Sequence, residues 1–517
     1  MTGPSYEFAS VDPGDPDFAV ALAALDLQFS TVAEPARLVR RTWLDTFDLR
    51  LHEAGLVLEQ DDRAGDRQLV LHGPDGASVA APAGGLTWPM LATALPPGQL
   101  QARVEAVTDV RALLVTGRMR SLQREVRVLN RDGKTVVRLI VDVARDATAS
   151  GVPALLTVAA VRGYQAEADR VAAAVGSVPG VVPNETSRQE HALSASGRSY
   201  RDRARGVVIT HDMSAAEAVA RVLTGFCETL TVNLPGLLAD VDSEFLHDVR
   251  VAVRRARSTL KLTGDVLPAE PVTQLGTDLK WLGDLTSPTR DLDVYLLGVS
   301  AMARGLRSFY PADLDPFRAH LQRRRTSAQK SMVRGLRSAR FGQVLDRWRA
   351  LDTDAPHDPA KLSIVALAHE RVASAHRRVV RLGSRIGPDS PAEDLHTLRK
   401  RCKELRYLLE IFAPLHDRVA HKRAVDVLKS LQDCLGEFQD SEVQATALRE
   451  FAVEMTTAGA APPVTLLAMG ELAATLSADQ QRARRDVAGI FATFLRPKNQ
   501  RRFDALLADG TRSEARA

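Results

Sequence analysis

Long apolar runs, paired cysteines and aromatic residues are all scarce in this chain of 517 residues. The longest uncharged apolar stretches, such as Val152 to Val161, are far shorter than the roughly 20 residues that a membrane-spanning helix needs. The three cysteines are Cys227, Cys402 and Cys434, and they form no C-x-x-C pair. This pattern excludes a disulfide framework and a thiolate metal site, so we expect buried, unreactive thiols and no membrane span.

Signals for export and for several enzyme classes are also missing. The N-terminal residues lack the basic start and apolar core of a secretory signal, so we expect a cytoplasmic protein. There is no H-E-x-x-H motif, no P-loop and no G-x-S-x-G motif. His416 and His421 would lie about 140° apart on a helix and cannot chelate one ion together. We therefore predict no catalytic residue, no metal ligand and no cofactor.

The net charge of +4 hides a difference between the two parts of the chain. Residues 1–200 hold 20 Lys and Arg against 24 Asp and Glu, whereas the remaining residues hold 48 against 40. The second part is therefore basic, which favours an anionic partner there.

Short alternating runs and turn signals in residues 5–172 predict an α+β domain. Arg67 to His72 reads as a strand. Glu125 to Leu129 and Thr135 to Val143 read as a hairpin whose loop contains Asp132 and Gly133. Helices are predicted at Asp17 to Leu25 and at Tyr164 to Ala174.

Residues 173–213 are rich in Gly, Pro and small polar residues, which is typical of a linker. From Ser214 to about residue 507, apolar residues recur at three- and four-residue spacing, which predicts an all-helical domain. The clearest segments are Ala218 to Leu230, Leu246 to Leu262, Val272 to Leu285 and Leu395 to Phe412.

An internal repeat divides the helical part into two related halves. His247 to Leu260 aligns with His396 to Leu409 at an offset of 149 residues. Further matches at the same offset carry the repeats through 247–294 and 396–443. Because two separate blocks share one offset, we predict two halves of similar structure.

Each half carries a stripe of positive charge on one predicted helix. At 100° per residue, the first stripe falls within an arc of about 80°, and the second repeats it. The first consists of His247, Arg250, Arg254, Arg257 and Lys261, and the second of His396, Arg399, Lys403 and Arg406 with Lys400 beside it. The opposite faces are apolar and are expected to meet a core. Lys280 and Lys429, one in each repeat, either extend the site or are simply exposed.

Stacked like charges destabilise a helix by roughly 0.2–0.5 kcal/mol per pair, so an external anion is needed to make the stripes favourable. Guanidinium groups bind phosphate through paired hydrogen bonds, and Lys adds a mobile charge, a mixture suited to a flexible phosphate chain. The alternative is a solvated face neutralised by Asp291, Asp293, Asp440 and Glu442. We expect those acids to orient Arg side chains or cap helices rather than to bind metal.

The stretches 247–257, 290–294 and 396–410 resemble the CHAD domain, and the resemblance extends over roughly residues 214–507. It implies two pseudo-symmetric four-helix bundles, a basic pore or groove, and binding of inorganic polyphosphate, often on polyphosphate granules. Gln439 stands where the first repeat has Arg290, which implies one phosphate contact fewer in the second half. The predicted polyphosphate-binding residues are His247, Arg250, Arg254, Arg257, Lys261, Lys280, His396, Arg399, Lys400, Lys403, Arg406 and Lys429.

Trp43 to Leu56 resembles a conserved stretch of the CYTH triphosphatase domain, a tunnel-shaped β fold. That family opens with E-x-E-x-K, in which two carboxylates hold divalent metal. Glu7 has Ser5 and Ala9 at its same-face positions, so the paired acids are missing. Without them, metal-assisted attack of water on a phosphoanhydride loses its charge stabilisation and its nucleophile. We expect a degenerate, non-catalytic CYTH-like domain in residues 5–172.

Two other functions stay open at this point: a CYTH-type inorganic triphosphatase with a CHAD accessory domain, and a non-specific nucleic-acid binder. Proteins that bind single-stranded nucleic acid stack its bases on exposed aromatic rings. Most of the 25 aromatic residues of this chain lie on predicted core faces. We therefore favour polyphosphate as the partner, with nucleic acid and membranes disfavoured. The sequence does not decide the oligomeric state.

Overall fold

A computed structural model describes residues 4–8, 29–63, 65–74, 76–145, 152–178, 180–195, 208–353, 362–387 and 389–514. The helix predicted at Asp17 to Leu25 lies outside these ranges. The chain divides into two compact units, Met1–Arg205 and Gly206–Ala517, and each is described by itself. Within the described residues, no helix is long and apolar enough to cross a membrane.

The described part of the first unit is built on an antiparallel β-sheet with helices α1 to α4. The strands are β1 (Ser5–Phe8), β2 (Ser30–Ala33), β3 (Arg37–Asp45), β4 (Val57–Arg63), β5 (Asp66–His72), β6 (Ser78–Pro82), β7 (Met90–Leu91), β8 (Ala112–Leu129), β9 (Thr135–Ala144), β10 (Ala154–Ala160) and β11 (Val181–Pro183). The helices are α1 (Arg50–Glu53), α2 (Gln99–Thr108), α3 (Gln165–Gly176) and α4 (Arg188–Ala195). The spatial order is β11-β1-β10-β9-β8-β3-β4-β5-β6, and β2 and β7 pair with β8.

The predicted hairpin is confirmed as the end of β8 and the start of β9, where Leu129 pairs with Thr135. Gly133 has a φ of 75°, a left-handed conformation that favours glycine and lets the loop close. Alternate residues of β8, including Val126 and Val128, are buried against Val171 of α3. The period-two pattern therefore decides which face of the sheet meets the helix.

The segment predicted as a linker carries regular structure over its first part. α3 continues to Gly176, β11 pairs with β1 through Tyr6 and Pro183, and α4 follows at Arg188–Ala195. The units divide between residues 205 and 206. Gly180 and Pro183 bound a three-residue strand, which is too short to show periodicity in the sequence.

The second unit is helical throughout its described residues, as predicted. The helices are α5 (Ala215–Leu238), α6 (Ser243–Thr263), α7 (Ala269–Gly305), α8 (Asp315–Leu336), α9 (Ala339–Thr353), α10 (Ile364–Gly383), α11 (Ala392–Ile411), α12 (Arg418–Thr457), α13 (Pro463–Phe494) and α14 (Pro497–Glu514). α5 and α10 begin at serines whose hydroxyls cap the first turn: Ser214 accepts from the Glu217 amide and Ser363 from the Ala366 amide.

The sequence repeat is also a structural repeat. Helices α5, α6 and α7 each begin 149 residues before α10, α11 and α12. Ser214 forms an antiparallel bridge with its own equivalent, Ser363. The Ala215 amide donates to the Leu362 carbonyl at 2.9 Å, and the Ile364 amide donates to the Met213 carbonyl at 3.2 Å. Ala215 is equivalent to Ile364, and Met213 is equivalent to Leu362, so each hydrogen bond is the counterpart of the other. The repeats are therefore related by a local two-fold axis at this bridge.

The two repeats share one of their hydrophobic cores. α7 and α12 are long helices, and their C-terminal parts meet α8 and α13 in a common cluster. The ring of Phe451 lies 5.3 Å from that of Tyr295 and 5.7 Å from that of Phe317. Because this core contains residues of both repeats, the second unit is held together across the two-fold axis.

Candidate functional site

The charged stripes lie on α6 and α11, which occupy equivalent places in the two repeats. Val249, Val253, Ala256 and Leu260 of α6 are buried, as predicted. Leu398, Cys402, Leu405 and Leu409 are buried on α11. These apolar faces fix the rotation of both helices, so the stripes are turned away from the cores.

Arg250 lies between α6 and α7 and is held by uncharged groups. Its Nη1 donates to the Ser287 hydroxyl at 2.8 Å, and to the Gly283 carbonyl and the Thr286 hydroxyl at 3.2 Å each. Burial lowers the pKa of Arg250, and the charges of Arg254 and Arg290 lower it further, while Asp291 acts in the opposite direction. The guanidinium is therefore fixed in position while its positive charge remains only partly compensated.

The two stripes meet at Arg254 and Lys403, which are equivalent positions of the two repeats. Both side chains are exposed. Partial desolvation of its ammonium group lowers the pKa of Lys403, and the neighbouring charges of Arg399 and Arg254 lower it further. Because Arg254 belongs to the first repeat and Arg399 to the second, cations of both stripes act on the same ammonium group.

His247 also faces cations of the first repeat. Burial lowers the pKa of His247, and Arg290 and Arg254 add to this shift against the opposing charges of Glu244 and Asp248. In the second repeat the equivalent His396 makes a hydrogen bond of 2.5 Å to Gln439, which replaces Arg290. The two histidines thus occupy the same place in different electrostatic surroundings.

Several predicted site residues carry carboxylate partners. Arg399 pairs with Asp440 at 2.9 Å, Arg406 pairs with Glu410 at 2.6 Å, and Lys261 pairs with Glu404 at 2.7 Å. Six other predicted cations are exposed and have no ion pair within the described residues: Arg254, Arg257, Lys280, Lys400, Lys403 and Lys429. The stripes therefore contain two kinds of cation: those neutralised by a carboxylate in an ion pair, and those without such a partner within the described residues.

A second set of contacts joins α6 to α11 across the two-fold axis. Arg255 pairs with Glu410 at 2.7 Å, and Lys261 pairs with Glu404. Arg255 and Glu404 are equivalent positions, as are Lys261 and Glu410, so the two ion pairs are related by the axis with their charges exchanged. Burial alone would raise the pKa of Glu404, but hydrogen bonds from Lys261 and Arg401 more than offset this and lower it.

Sequence reasoning did not place some of the groups that shape the site. Thr286 and Ser287 orient Arg250 by accepting hydrogen bonds from its guanidinium group. Gly283 leaves room for Arg257, whose Nη1 would lie 3.3 Å from a β-carbon at that position. These residues all lie on α7, one helix away from the stripe. Only their place in the repeated block 247–294 could have indicated them.

The first unit contains a cavity of about 350 Å³ between the sheet and the start of α4. Arg41 pairs with Asp142 at 2.6 Å, and Arg188 lies 3.2 Å from the same carboxylate. Burial raises the pKa of Asp61, which lies 3.5 Å from Arg41, and Glu59 raises it further. The cations of the cavity are thus already paired with acids.

Glu7 lies 3.7 Å from His191, and no group of three potential metal ligands occurs among the described residues.

Comparison with known proteins places the repeated helices in a family. Residues 221–449 match the model of the CHAD domain. The helical unit contains a CHAD domain. The matched region begins inside α5 and ends inside α12, so it includes both charged stripes and the junction between them.

The relatives of this chain match it over different shares of its length. An uncharacterized protein of Mycobacterium tuberculosis, Rv2226, is 28% identical over 263 residues, which are 47% of each chain. The chain thus spans about half the length of the curated relatives it matches. The crystal structure of the CHAD domain from the plant Ricinus communis is similar over 56% of this chain and 96% of its own, with 24% identity and a TM-score of 0.47.

A structure from Bacillus halodurans, described provisionally as an adenylate cyclase, is similar over 37% of this chain and 96% of its own. Its identity is 13% and its TM-score is 0.27. The CHAD domain is the assignment that the match of residues 221–449 to the family model supports.

Proposed function

We propose that the CHAD domain of this protein binds inorganic polyphosphate on the cationic surface formed by α6, α7, α11 and α12, and that this binding targets the protein to polyphosphate granules. The ligand is a flexible polyanion of repeated phosphates. The binding residues are the predicted cations of both stripes, with Arg254 and Lys403 at their junction. The first unit has no catalytic role in this proposal.

The observation that carries the proposal is the convergence of Arg254 and Lys403 on two helices that contact each other. The ion pairs Arg255–Glu410 and Lys261–Glu404 join α6 to α11, and the charge of Arg254 acts on the Lys403 ammonium group. Repulsion between like charges costs stability in the empty protein, and a bound anion relieves it. A ligand that spans the junction would gain from both stripes at once, as a chain of phosphates can and a single phosphate cannot.

The chemistry of the cations favours phosphate over other anions. Arg250 is positioned by Gly283, Thr286 and Ser287, so little side-chain entropy remains to be lost on binding. A guanidinium fixed in this way can donate paired hydrogen bonds to phosphate oxygens, whereas Lys403 follows a mobile chain as a point charge. Nucleic acid shares the phosphate charge, so it enters the test as a competitor.

The test is the affinity of the full chain for long-chain polyphosphate at several salt concentrations. Affinity should fall steeply with salt, because several cations release their counterions together. The double variant Arg254→Glu with Lys403→Glu should lose about 100-fold in affinity.

The matched control is Arg118→Glu with Arg124→Glu, two exposed arginines on β8 of the first unit. This variant has the same change in net charge and should stay within about threefold of the parent. Equal losses in both variants would place the site elsewhere. Displacement of polyphosphate by an equal concentration of DNA phosphate would favour the nucleic-acid alternative.

A further inference from the structure

The two repeats differ in how many of their stripe cations are free. The first repeat presents Arg250, Arg254 and Arg257 without a carboxylate partner in an ion pair within the described residues, and its fourth cation, Lys261, is paired with Glu404. In the second repeat, Lys403 is the stripe cation without such a partner. Arg399 and Arg406 are paired, and the fourth position is an acid, Glu410. Lys400, beside the second stripe, adds one exposed cation.

The contacts of equivalent residues show the same difference. Arg250 is bound by a carbonyl and two hydroxyls, whereas its equivalent Arg399 is bound by Asp440. Arg257 rests against Gly283, whereas its equivalent Arg406 donates to Glu410 at 2.6 Å. The two-fold axis therefore relates similar helices with unequal charge.

A carboxylate beside a cation weakens anion binding in two ways. It cancels much of the attraction at short range, and it must be displaced or repelled when a phosphate takes its place. Hydroxyl and carbonyl groups orient a guanidinium without adding negative charge. A phosphate that approaches Arg250 thus keeps more of the Coulomb attraction than one at Arg399, because Asp291 acts on Arg250 without a direct ion pair whereas Asp440 binds Arg399 at 2.9 Å.

We propose that the CHAD domain holds its polyanion through two unequal subsites: a strong one on α6 and α7, and a weak one on α11 and α12 that the ligand reaches through Arg254 and Lys403. This rests on the proposed function, since it assigns the phosphates of the same ligand to the two repeats. The bound chain is centred on the first repeat and not on the two-fold axis. Asp440 and Glu410 limit the second subsite.

The repeat supplies matched controls for the test. Arg250→Gln and Arg399→Gln remove the same charge at equivalent positions, as do Arg257→Gln and Arg406→Gln. With long-chain polyphosphate and the full chain, each first-repeat variant should lose about tenfold in affinity, and each second-repeat variant less than about threefold. Asp440→Asn should raise affinity by about threefold, because it frees Arg399. Circular dichroism of each variant shows whether the helices are intact.

Arg257→Gln is the decisive variant, because Arg257 is exposed and, among the described residues, makes no hydrogen bond to α7, whereas Arg250 makes three. Equal losses at Arg257 and Arg406 in folded protein would overturn the unequal subsites while leaving polyphosphate binding intact. Failure of the parent chain to bind polyphosphate would instead overturn the proposed function itself. A larger loss at Arg406 than at Arg257 would reverse the assignment of the strong subsite.

Discussion

At the scale of single residues, His247 couples the site to pH. Its imidazole is half-buried and faces Arg290 and Arg254, which together with burial lower its pKa in the empty protein. A bound phosphate would raise that pKa, so binding takes up a proton between the empty and the bound values. We therefore expect affinity for polyphosphate to rise as pH falls from about 8 to about 6, a range around the ordinary His pKa of about 6.5.

The double variant His247→Gln with His396→Gln tests this expectation. It should bind as the parent does at the upper end of the range and lose most of the increase at the lower end. The arginines stay charged throughout, so their contribution should not change with pH. If the folded double variant keeps the pH dependence of the parent, both histidines are structural and do not contact the ligand.

The positions of the stripe residues could be predicted from the sequence, but not all of their ion-pair partners. The stripe positions could be predicted, because a helix places residues three and four apart on one face. The partner of Lys261 could not, because Glu404 lies 143 residues away and meets it only through the packing of α6 on α11. Arg406 has its partner Glu410 within the same helix, at a spacing that was available in the sequence.

At the scale of secondary structure, α5 and α6 approach closely at Gly236. A β-carbon there would lie 2.4 Å from the ring of Phe245, at the start of α6. Gly236→Ala should therefore destabilise the helical unit by about 1–3 kcal/mol despite the better helix propensity of alanine. The measurement is urea unfolding followed by helical circular dichroism.

Gly470→Ala is the control, since no atom lies within 4 Å of a β-carbon at that exposed position of α13. Only the helix propensity changes at this position, so we expect the free energy of unfolding to rise by about 0.5–1 kcal/mol. Stabilisation by both substitutions would show that α5 and α6 pack less closely than described.

The helices with long periodic patterns were predicted well, and α6 and α11 lie where their apolar spacing placed them. Within the predicted linker, the elements missed were β11 and α4, of three and eight residues. Such short elements depend on their neighbours: β11 adds to β1, and Ala192 of α4 packs on Gly117 of β8. Their formation depends on tertiary contacts that no local pattern encodes.

At the scale of the whole helical unit, the ion pairs between α6 and α11 contribute to the association of the repeats. Lys261→Glu places a second acid beside Glu404 and should lower the free energy of unfolding. Addition of Glu404→Lys should restore part of the loss, with a coupling of about 1 kcal/mol, since the Lys261 side chain is largely exposed.

The Lys261 to Glu404 contact should contribute fully above the ordinary Glu pKa of about 4.3, because the folded pKa of Glu404 is lowered. Its contribution is lost as pH falls through that lower value. If the effects of Lys261→Glu and Glu404→Lys on the free energy of unfolding in urea are additive, the ion pair does not contribute to stability.

The reciprocal bridge between Ser214 and Ser363 joins two repeats that need not carry the same charges. A contact in which a residue meets its own equivalent is what two identical subunits make on a two-fold axis, so the bridge has the form of a homodimer contact. In a symmetric dimer of the first repeat, Arg255 of one copy would face Lys261 of the other with like charge. In the single chain each repeat has its own sequence, with Arg255 and Lys261 on α6 and Glu404 and Glu410 on α11. The two basic residues therefore lie on one side of the contact and the two acidic residues on the other, an arrangement that two identical subunits cannot have.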